Sequence, residues 1–444
     1  YVLEKVVLPL GDGVTRDSFM RNLRKMRHIS KLNEEQLQEL QRSKMKALLK
    51  HAREKVPYWK NRITNDMLSS GNISELSPLT KDVIRNETDA LIDHTAGPFI
   101  QHKSSGSTGQ QTTVYWSREE QAINRATQIH WWEWAGYRLG DPILQTGITP
   151  NRSLIKTVKD RLLNTYYLQA FSHSKQEAMD ALNWAGKQKD PVLAGYASSL
   201  YVLALFASEA GIQVKFKTAV CWGDKMFDHY RALIEKVFQC KVYETYASAE
   251  GLMMGAQADL DYMYQMSSNT RIDLVDDNNQ PVKDGQIGHV LVTNLNGYAM
   301  PLIKYRIGDL AIKLPQELYP ARQMGFPVIQ KVIGRDTDLV RTPEGKMMVV
   351  HSFTGIFEHI PEIRQFCIIQ EKLEGIKVQY IPETTVESSL LQSIRQQILD
   401  YLKEPFQVEF EQVDHIPPTK SGKPQIIISK LKPLSLTKDT EKEP

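Results

Sequence analysis

Four hydroxyl side chains and two glycines stand together in Ser104-Ser105-Gly106-Ser107-Thr108-Gly109, just ahead of the β-like run Thr112-Thr113-Val114-Tyr115-Trp116. Glycines let backbone N–H groups approach an anion closely, and hydroxyls add donors without adding charge, so the segment suits a polyphosphate. The same composition also makes a flexible turn. Tyr246-Ala247-Ser248-Ala249-Glu250 follows a strand-like stretch from Cys240 to Thr245. There a tyrosine face can stack on a purine, and a carboxylate four residues on can hold a hard cation against phosphates. In Tyr305-Arg306-Ile307-Gly308-Asp309 a carboxylate beyond a glycine turn at a strand end is suited to accept both hydroxyls of a ribose. Gly334-Arg335-Asp336-Thr337-Asp338 is a turn rich in charge, and Pro417-Pro418-Thr419-Lys420-Ser421-Gly422-Lys423-Pro424 is a rigid loop that presents an ammonium to an anion. Taken singly, each of these is also an ordinary turn or strand end.

The sequence holds neither G-x-x-x-x-G-K-[ST] nor G-x-G-x-x-G, so a nucleotide site here must be built another way. A hydroxyl/glycine loop, Y-x-x-x-E, Y-R-x-G-D, G-R and T-x-S-G-K, in that order from Ser104 to Lys423, together resemble the signature series of the adenylate-forming acyl-CoA ligase superfamily. Within it the chain is most similar to the phenylacetate-CoA ligase-like branch, in particular a subgroup associated with capsular polysaccharide. Three further stretches carry that likeness: His51-Ala52-Arg53-Glu54-Lys55-Val56-Pro57-Tyr58-Trp59, Trp134-Ala135-Gly136-Tyr137-Arg138-Leu139-Gly140-Asp141 and Gly195-Tyr196-Ala197-Ser198-Ser199-Leu200.

The resemblance implies ATP-dependent activation of a carboxylic acid, of aromatic or aryl-acetic type, to an acyl-adenylate, followed by transfer to coenzyme A. It implies that Ser105, Gly106, Ser107, Thr108 and Gly109 clasp the β- and γ-phosphates, that Tyr246 and Ala247 line the adenine site, and that Asp309 binds the ribose. It also implies that Glu250 holds magnesium, that Arg335 sits beside ribose and phosphate at a hinge, and that Lys423 reaches the α-phosphate. Lys420 is the rival in that loop, but the family's lysine follows the glycine. The acid pocket is expected between Trp131 and Gly223, with Tyr196, Ser198, Trp222 and Gly223 among its residues.

Two departures stand out. Ala249 occupies the place where the family has Thr or Ser, and Thr337 stands where an aspartate marks the hinge, with Asp338 beside it. No cysteine lies between Cys240 and Cys367, so the cysteine-rich metal site of some phenylacetate-type relatives is not matched and no zinc is expected. Two alternatives stay open: adenylation with transfer to an amine or hydroxyl of a sugar or metabolite, and a degenerate nucleotide-binding scaffold, which Ala249 favours.

These residues need a framework to position them. Asn33 followed by Gln36 reads as a capping box, and Leu37, Leu40, Leu48, Leu49, Ala52 and Val56 recur at helical spacing up to Pro57. The other face carries Arg42, Lys44, Lys46, Lys50, Arg53 and Lys55 and reads as a solvated face. From Ile143 to Val242 helical stretches alternate with β-branched runs such as Gln213 to Val220, an α/β pattern. Between Arg271 and Leu314 the texture changes to strands and turns, with Asp276-Asp277-Asn278-Asn279 and Asp284-Gly285 as turn signals. A strand pair around Glu344-Gly345, a helix from Ser388 to Lys403 and a strand from Gln407 to Gln412 follow.

The expected fold is therefore α/β. A large N-terminal domain of α/β layers over 1–335 includes a small β-barrel-like part, a small mobile α+β domain covers 336–436, and 437–444 is a charged tail expected to be disordered.

Length supports two domains, since single cores stop growing near roughly 250 to 300 residues. The 55 basic and 52 acidic residues are mixed along the chain, and the net charge of +3 gives no single-sign field for a nucleic acid. The longest apolar run, Leu200 to Ala207, falls far short of the roughly 20 residues of a membrane helix. Three unpaired cysteines fit a reducing, cytoplasmic compartment. The expected partner is a small carboxylic acid, with a homodimer left open.

Overall fold

The computed structural model describes residues 3–15, 17–103, 112–147, 163–170, 175–335, 339–344, 347–349, 353, 356–357, 360–417 and 426–431. Near the start, the Asn33 side chain accepts the Gln36 N–H at 2.9 Å and the Gln36 side chain accepts the Asn33 N–H at 3.1 Å. This reciprocal cap begins the helix Glu34–Lys55, which buries Leu37, Leu48, Leu49 and Ala52 and stops before Pro57. Its polar face is less solvated than the charge pattern suggested. Gln41 donates to the Ser267 carbonyl at 3.0 Å, and the Lys44 ammonium donates to the Ser268 carbonyl and to Asn296 Oδ1, each at 2.7 Å. Burial, and secondarily the charge of Lys25, hold the Lys44 pKa down at about 7.

Strands β1 (Ile100–Lys103) and β2 (Thr113–Trp116) form an antiparallel pair in which Ile100 faces Trp116 and Lys103 faces Thr113. Next come β3 (Ile143–Gly147), β4 (Thr165–Gln169), β5 (Val192–Tyr196), β6 (Thr218–Trp222) and β7 (Val242–Ala247), all parallel, in the spatial order β4-β3-β5-β6-β7. Helices Lys175–Gly186, Ala197–Glu209 and Asp228–Phe238 connect β4 to β5, β5 to β6 and β6 to β7. Their apolar faces, Leu203 among them, pack with Leu144, Leu193 and Phe216 in one core cluster. On the other side Leu23, Trp132 and Tyr137 pack with Ile143, Val192, Ala194 and Val220. A parallel strand covered on both faces reads as a continuous apolar run, which is why Val192 to Ala194 show no alternation.

The expected strand from Gln213 begins only at Thr218. The Phe216 N–H bonds to the Phe238 carbonyl and the Lys217 N–H to that of Pro191, outside the ladder.

β8 (Met253–Gln257), β9 (Met263–Gln265), β10 (Thr270–Val275), β11 (Ile287–Asn294), β12 (Tyr305–Lys313) and β13 (Val328–Arg335) complete an 11-stranded sheet ordered β10-β11-β12-β13-β9-β8-β7-β6-β5-β3-β4. Here β7–β8, β8–β9 and β13–β9 are antiparallel. The turn signals act as their chemistry requires. The Asp276 carboxylate accepts the N–H groups of Asn278 and Gln280, while Asn279 and Gly285 take positive φ, at 60° and 86°.

The chain divides into two compact units. The first comprises 1–273, 291–307 and 313–331, and the second 274–290, 308–312 and 332–444. In the second, β14 (Leu339–Arg341) pairs with β15 (Met347–Val349) around Glu344, and β16 (Ile363–Lys372), β17 (Gly375–Pro382), β18 (Gln407–Gln412) and β19 (Ile427–Ser429) form a sheet ordered β18-β17-β16-β19. Helix Ser388–Leu402 packs Ile394, Ile398 and Leu402 against Val378, Val408 and Ile427. The architecture is thus mixed α/β, with a large multi-strand sheet part and a small C-terminal part. Among the described residues no helix is long and apolar enough to cross a membrane.

Candidate active site

In parallel sheets, ligands bind beyond the carboxyl ends of the strands, because loops and helix N-termini converge there. Strand β5 ends at Tyr196, β6 at Trp222, and these two residues are register partners. Trp222 stacks on Trp132 at 5.7 Å with planes 10° apart, and Tyr196 meets Trp222 edgewise at 6.4 Å. Gly223 adopts φ +83°, and a Cβ there would come within 2.4 Å of the Tyr196 ring. A glycine is therefore required on both counts. Tyr196, Ser198, Trp222 and Gly223, singled out from sequence, are brought together.

Asp224 was missed. Its carboxylate accepts the N–H of Ala197 at 2.7 Å and of Ser198 at 3.1 Å, together with the Ser198 hydroxyl, and so caps the helix Ala197–Glu209 from another strand end. The helix's own preceding residue, Tyr196, makes no side-chain cap. The only sequence trace of this arrangement is an aspartate after the Trp-Gly that ends β6. Burial pushes the Tyr196 hydroxyl up to about 12, with Asp224 and Tyr167 adding to the effect.

Strand β7 ends in Tyr246 and Ala247, with its register broken between them. The chain then turns: the Ser248 N–H bonds to the Leu252 carbonyl at 3.1 Å and the Gly251 N–H to that of Ser248 at 3.0 Å. Tyr246 and Glu250 are buried, at 9% and 7% exposure, whereas Ala249 faces solvent. The Tyr305 hydroxyl donates to Glu250 Oε1 at 3.3 Å, and Trp116 Nε1 donates to the Glu250 backbone carbonyl at 3.2 Å.

Among the described residues no cation pairs with the Glu250 carboxylate, and no group of three or more His, Cys, Asp or Glu side chains is placed to hold a metal. One buried carboxylate with spare lone pairs fits magnesium. That ion keeps several waters and is commonly held by one or two carboxylates plus substrate phosphates.

Asp309 lies in the second unit, after Gly308 at φ +86°, and inside β12 rather than beyond a turn at a strand end, because the ladder continues through the glycine to Lys313. It is half-buried. Arg335 ends β13, after Gly334 at φ +128°. Ser105, Gly106, Ser107, Thr108, Gly109, Thr337 and Lys423 lie outside the described residues. A separate open cleft of about 710 Å³, lined by Asp228, Arg231, Glu235, Glu244 and Gln257 among others, contains none of the site residues expected from sequence. Arg231 fills its charge balance by pairing with Glu244 at 2.6 Å.

Residues 340–430 match the CapK C-terminal domain family. Over 382 residues, 84% of each chain, the sequence is 23% identical to Protein CapK of Staphylococcus aureus. It is 22% identical over 328 residues to phenylacetate-coenzyme A ligase of Pseudomonas putida, covering 68% of this chain and 72% of that one. Its fold is similar to that of 2-hydroxyisobutyryl-CoA ligase solved in the postadenylation state with R3-HIB-AMP, with a TM-score of 0.70 and 17% identity over 90% and 91% of the two chains.

Proposed function

We propose that this chain, an adenylate-forming ligase relative of the phenylacetate-CoA ligase-like kind, activates a carboxylic acid with ATP and transfers the acyl group to coenzyme A. The observation that carries the reading is the turn after β7, which buries Glu250 beside Tyr246 at the carboxyl edge of the parallel strands. That is where a nucleotide-binding α/β sheet places its ligand.

In the first step an oxygen of the substrate carboxylate attacks the α-phosphorus of ATP, the bond to the bridging oxygen breaks, and pyrophosphate leaves. In the second the thiolate of coenzyme A attacks the acyl carbon and AMP departs with the C–O electron pair, while the thiol proton passes to solvent. Attack of one anion on another needs fixed positive charge. Magnesium, when bound, supplies part of it at the phosphates.

In this reading Glu250 is its protein ligand, Tyr246 and Ala247 line the adenine site, and Asp309 takes the ribose hydroxyls. Ser105 to Gly109 hold the β- and γ-phosphates, Arg335 lies beside ribose and phosphate, and Lys423 donates to the α-phosphate. The domains follow the same proposal, with 1–335 carrying adenylation and 336–436 carrying Lys423. Trp222 on Trp132, with Tyr196 edgewise, supports an aromatic or aryl-acetic acid, since aromatic walls favour a planar apolar guest.

The deciding experiment is acid-dependent exchange of pyrophosphate into ATP across a panel of carboxylic acids, followed by turnover with and without coenzyme A. Release of ADP and phosphate in place of AMP and pyrophosphate would sink the adenylation reading. Equal turnover without coenzyme A would reassign the acceptor.

A further inference from the structure

Trp116 closes strand β2, and the next residue, Ser117, forms a capping box with Glu120 that starts the helix Arg118–Trp134. The backbone around Trp116 is therefore fixed by a strand pairing on one side and a capped helix on the other. Its indole makes three contacts at once. Nε1 donates to the Glu250 carbonyl at 3.2 Å, across 134 residues of sequence. The ring stacks on His102 of the partner strand β1, with centroids 3.5 Å apart and planes 23° apart. Its six-membered edge fills the space beside Gly251, where a Cβ would come within 2.3 Å of Trp116 Cζ2. Gly251 itself sits at φ +80°, so the turn needs glycine for its backbone and for the indole.

Two separate grips thus hold Glu250: Trp116 the backbone, and the Tyr305 hydroxyl the carboxylate. A carboxylate aimed at a cation must be held to a fraction of an ångström, and residues that do not touch the ligand set that aim.

We propose that Trp116 is a positioning residue which, from the β1–β2 pair, fixes the turn carrying Glu250 and thereby sets the affinity for magnesium-bound ATP. The inference rests on the reading of Glu250 as the magnesium ligand. Trp116 touches neither metal nor nucleotide; it acts through the Glu250 backbone and through Gly251.

The test uses the full chain and two variants that disturb the same contact from opposite sides. Trp116→Phe keeps an aromatic ring at the end of β2 but removes the N–H and the indole edge beside Gly251, while Gly251→Ala drives a methyl into the indole. Melting temperature is followed with ATP present while magnesium is titrated, because a ligand that binds the folded state raises it by mass action. Pyrophosphate exchange then gives the KM for ATP and the KM for the acid separately.

For Trp116→Phe the magnesium midpoint should rise about three- to tenfold, the effect of one lost hydrogen bond, with the KM for ATP rising alongside and that for the acid unchanged. Gly251→Ala should shift the midpoint at least as far, and it decides the matter if Trp116→Phe does not fold. A merely structural role predicts lower melting without ligand and a magnesium midpoint that overlays the parent's, and that result overturns the proposal. If the parent itself is not stabilised by ATP at any magnesium concentration, the reading of the site fails and the inference with it. A responsive parent with two overlaying variants sinks the inference alone.

Discussion

Glu250 is a carboxylate withdrawn from solvent to 7% exposure and left without a cationic partner among the described residues. Burying a carboxylate is costly unless something pairs with it, and on the proposed reading that partner is a cation delivered with the substrate. Glu250→Gln keeps the shape and removes the charge. We expect the magnesium requirement to rise tenfold or more, on the order of one lost charge-assisted ligand, and both half-reactions to slow. Overlaying magnesium titrations of variant and parent would show Glu250 to be only a packed turn residue. The Tyr246-to-Glu250 spacing was legible in the sequence because both residues sit on one strand-end turn. Tyr305 was legible only as part of a motif; its hydroxyl contact with Glu250 spans 55 positions and has no local signature.

At the scale of single elements, the helix Ala197–Glu209 depends on a cap lent by a different strand end. Asp224→Ala should cost about 1 kcal/mol of stability, as loss of an N-cap carboxylate does. The same carboxylate holds the Ala197 N–H directly after Tyr196, so if Tyr196 and Gly223 line the acid pocket as proposed, the KM for the acid should rise while that for ATP stays near the parent's. A drop in melting temperature with both KM values unchanged would confine Asp224 to the cap alone.

The helix Glu34–Lys55 offers a test by pH. Lys44 titrates near 7 in the folded chain against an ordinary 10.5, so between those values the unfolded chain binds the extra proton and stability rises with pH. Below 7 the ammonium is charged in both states and its burial cost is fully present. Denaturant unfolding from pH 7 to 9 should show a rise of up to about 1.4 kcal/mol per pH unit in the parent, flattened in Lys44→Met. Parallel pH profiles for the two proteins would exclude Lys44 as its source.

At the scale of the whole molecule, the residues of the reading are spread over two compact units: Tyr246 and Glu250 in the first, Asp309 in the second. Lys423 lies outside the described residues. If it donates to the α-phosphate, Lys423→Ala should slow adenylate formation by about two orders of magnitude while sparing transfer from a supplied acyl-adenylate. Equal damage to the two half-reactions, or none, would remove the lysine from the α-phosphate.

By itself the sequence determined the ordered motif series, the capping box at Asn33, the α/β alternation and the C-terminal helix and strand. Each of these is written in residues close along the chain, where propensity, capping and turn chemistry act. Only the tertiary structure decided that Asp224 caps a helix 26 positions away, that Trp116 grips the turn of Glu250, that Lys44 is buried in a carbonyl cradle, and that the strand expected from Gln213 starts at Thr218. Those outcomes depend on hydrogen bonds and burial between segments far apart in sequence. No periodicity or spacing within one segment can encode which distant carbonyl or amide will stand opposite it once the sheet has assembled.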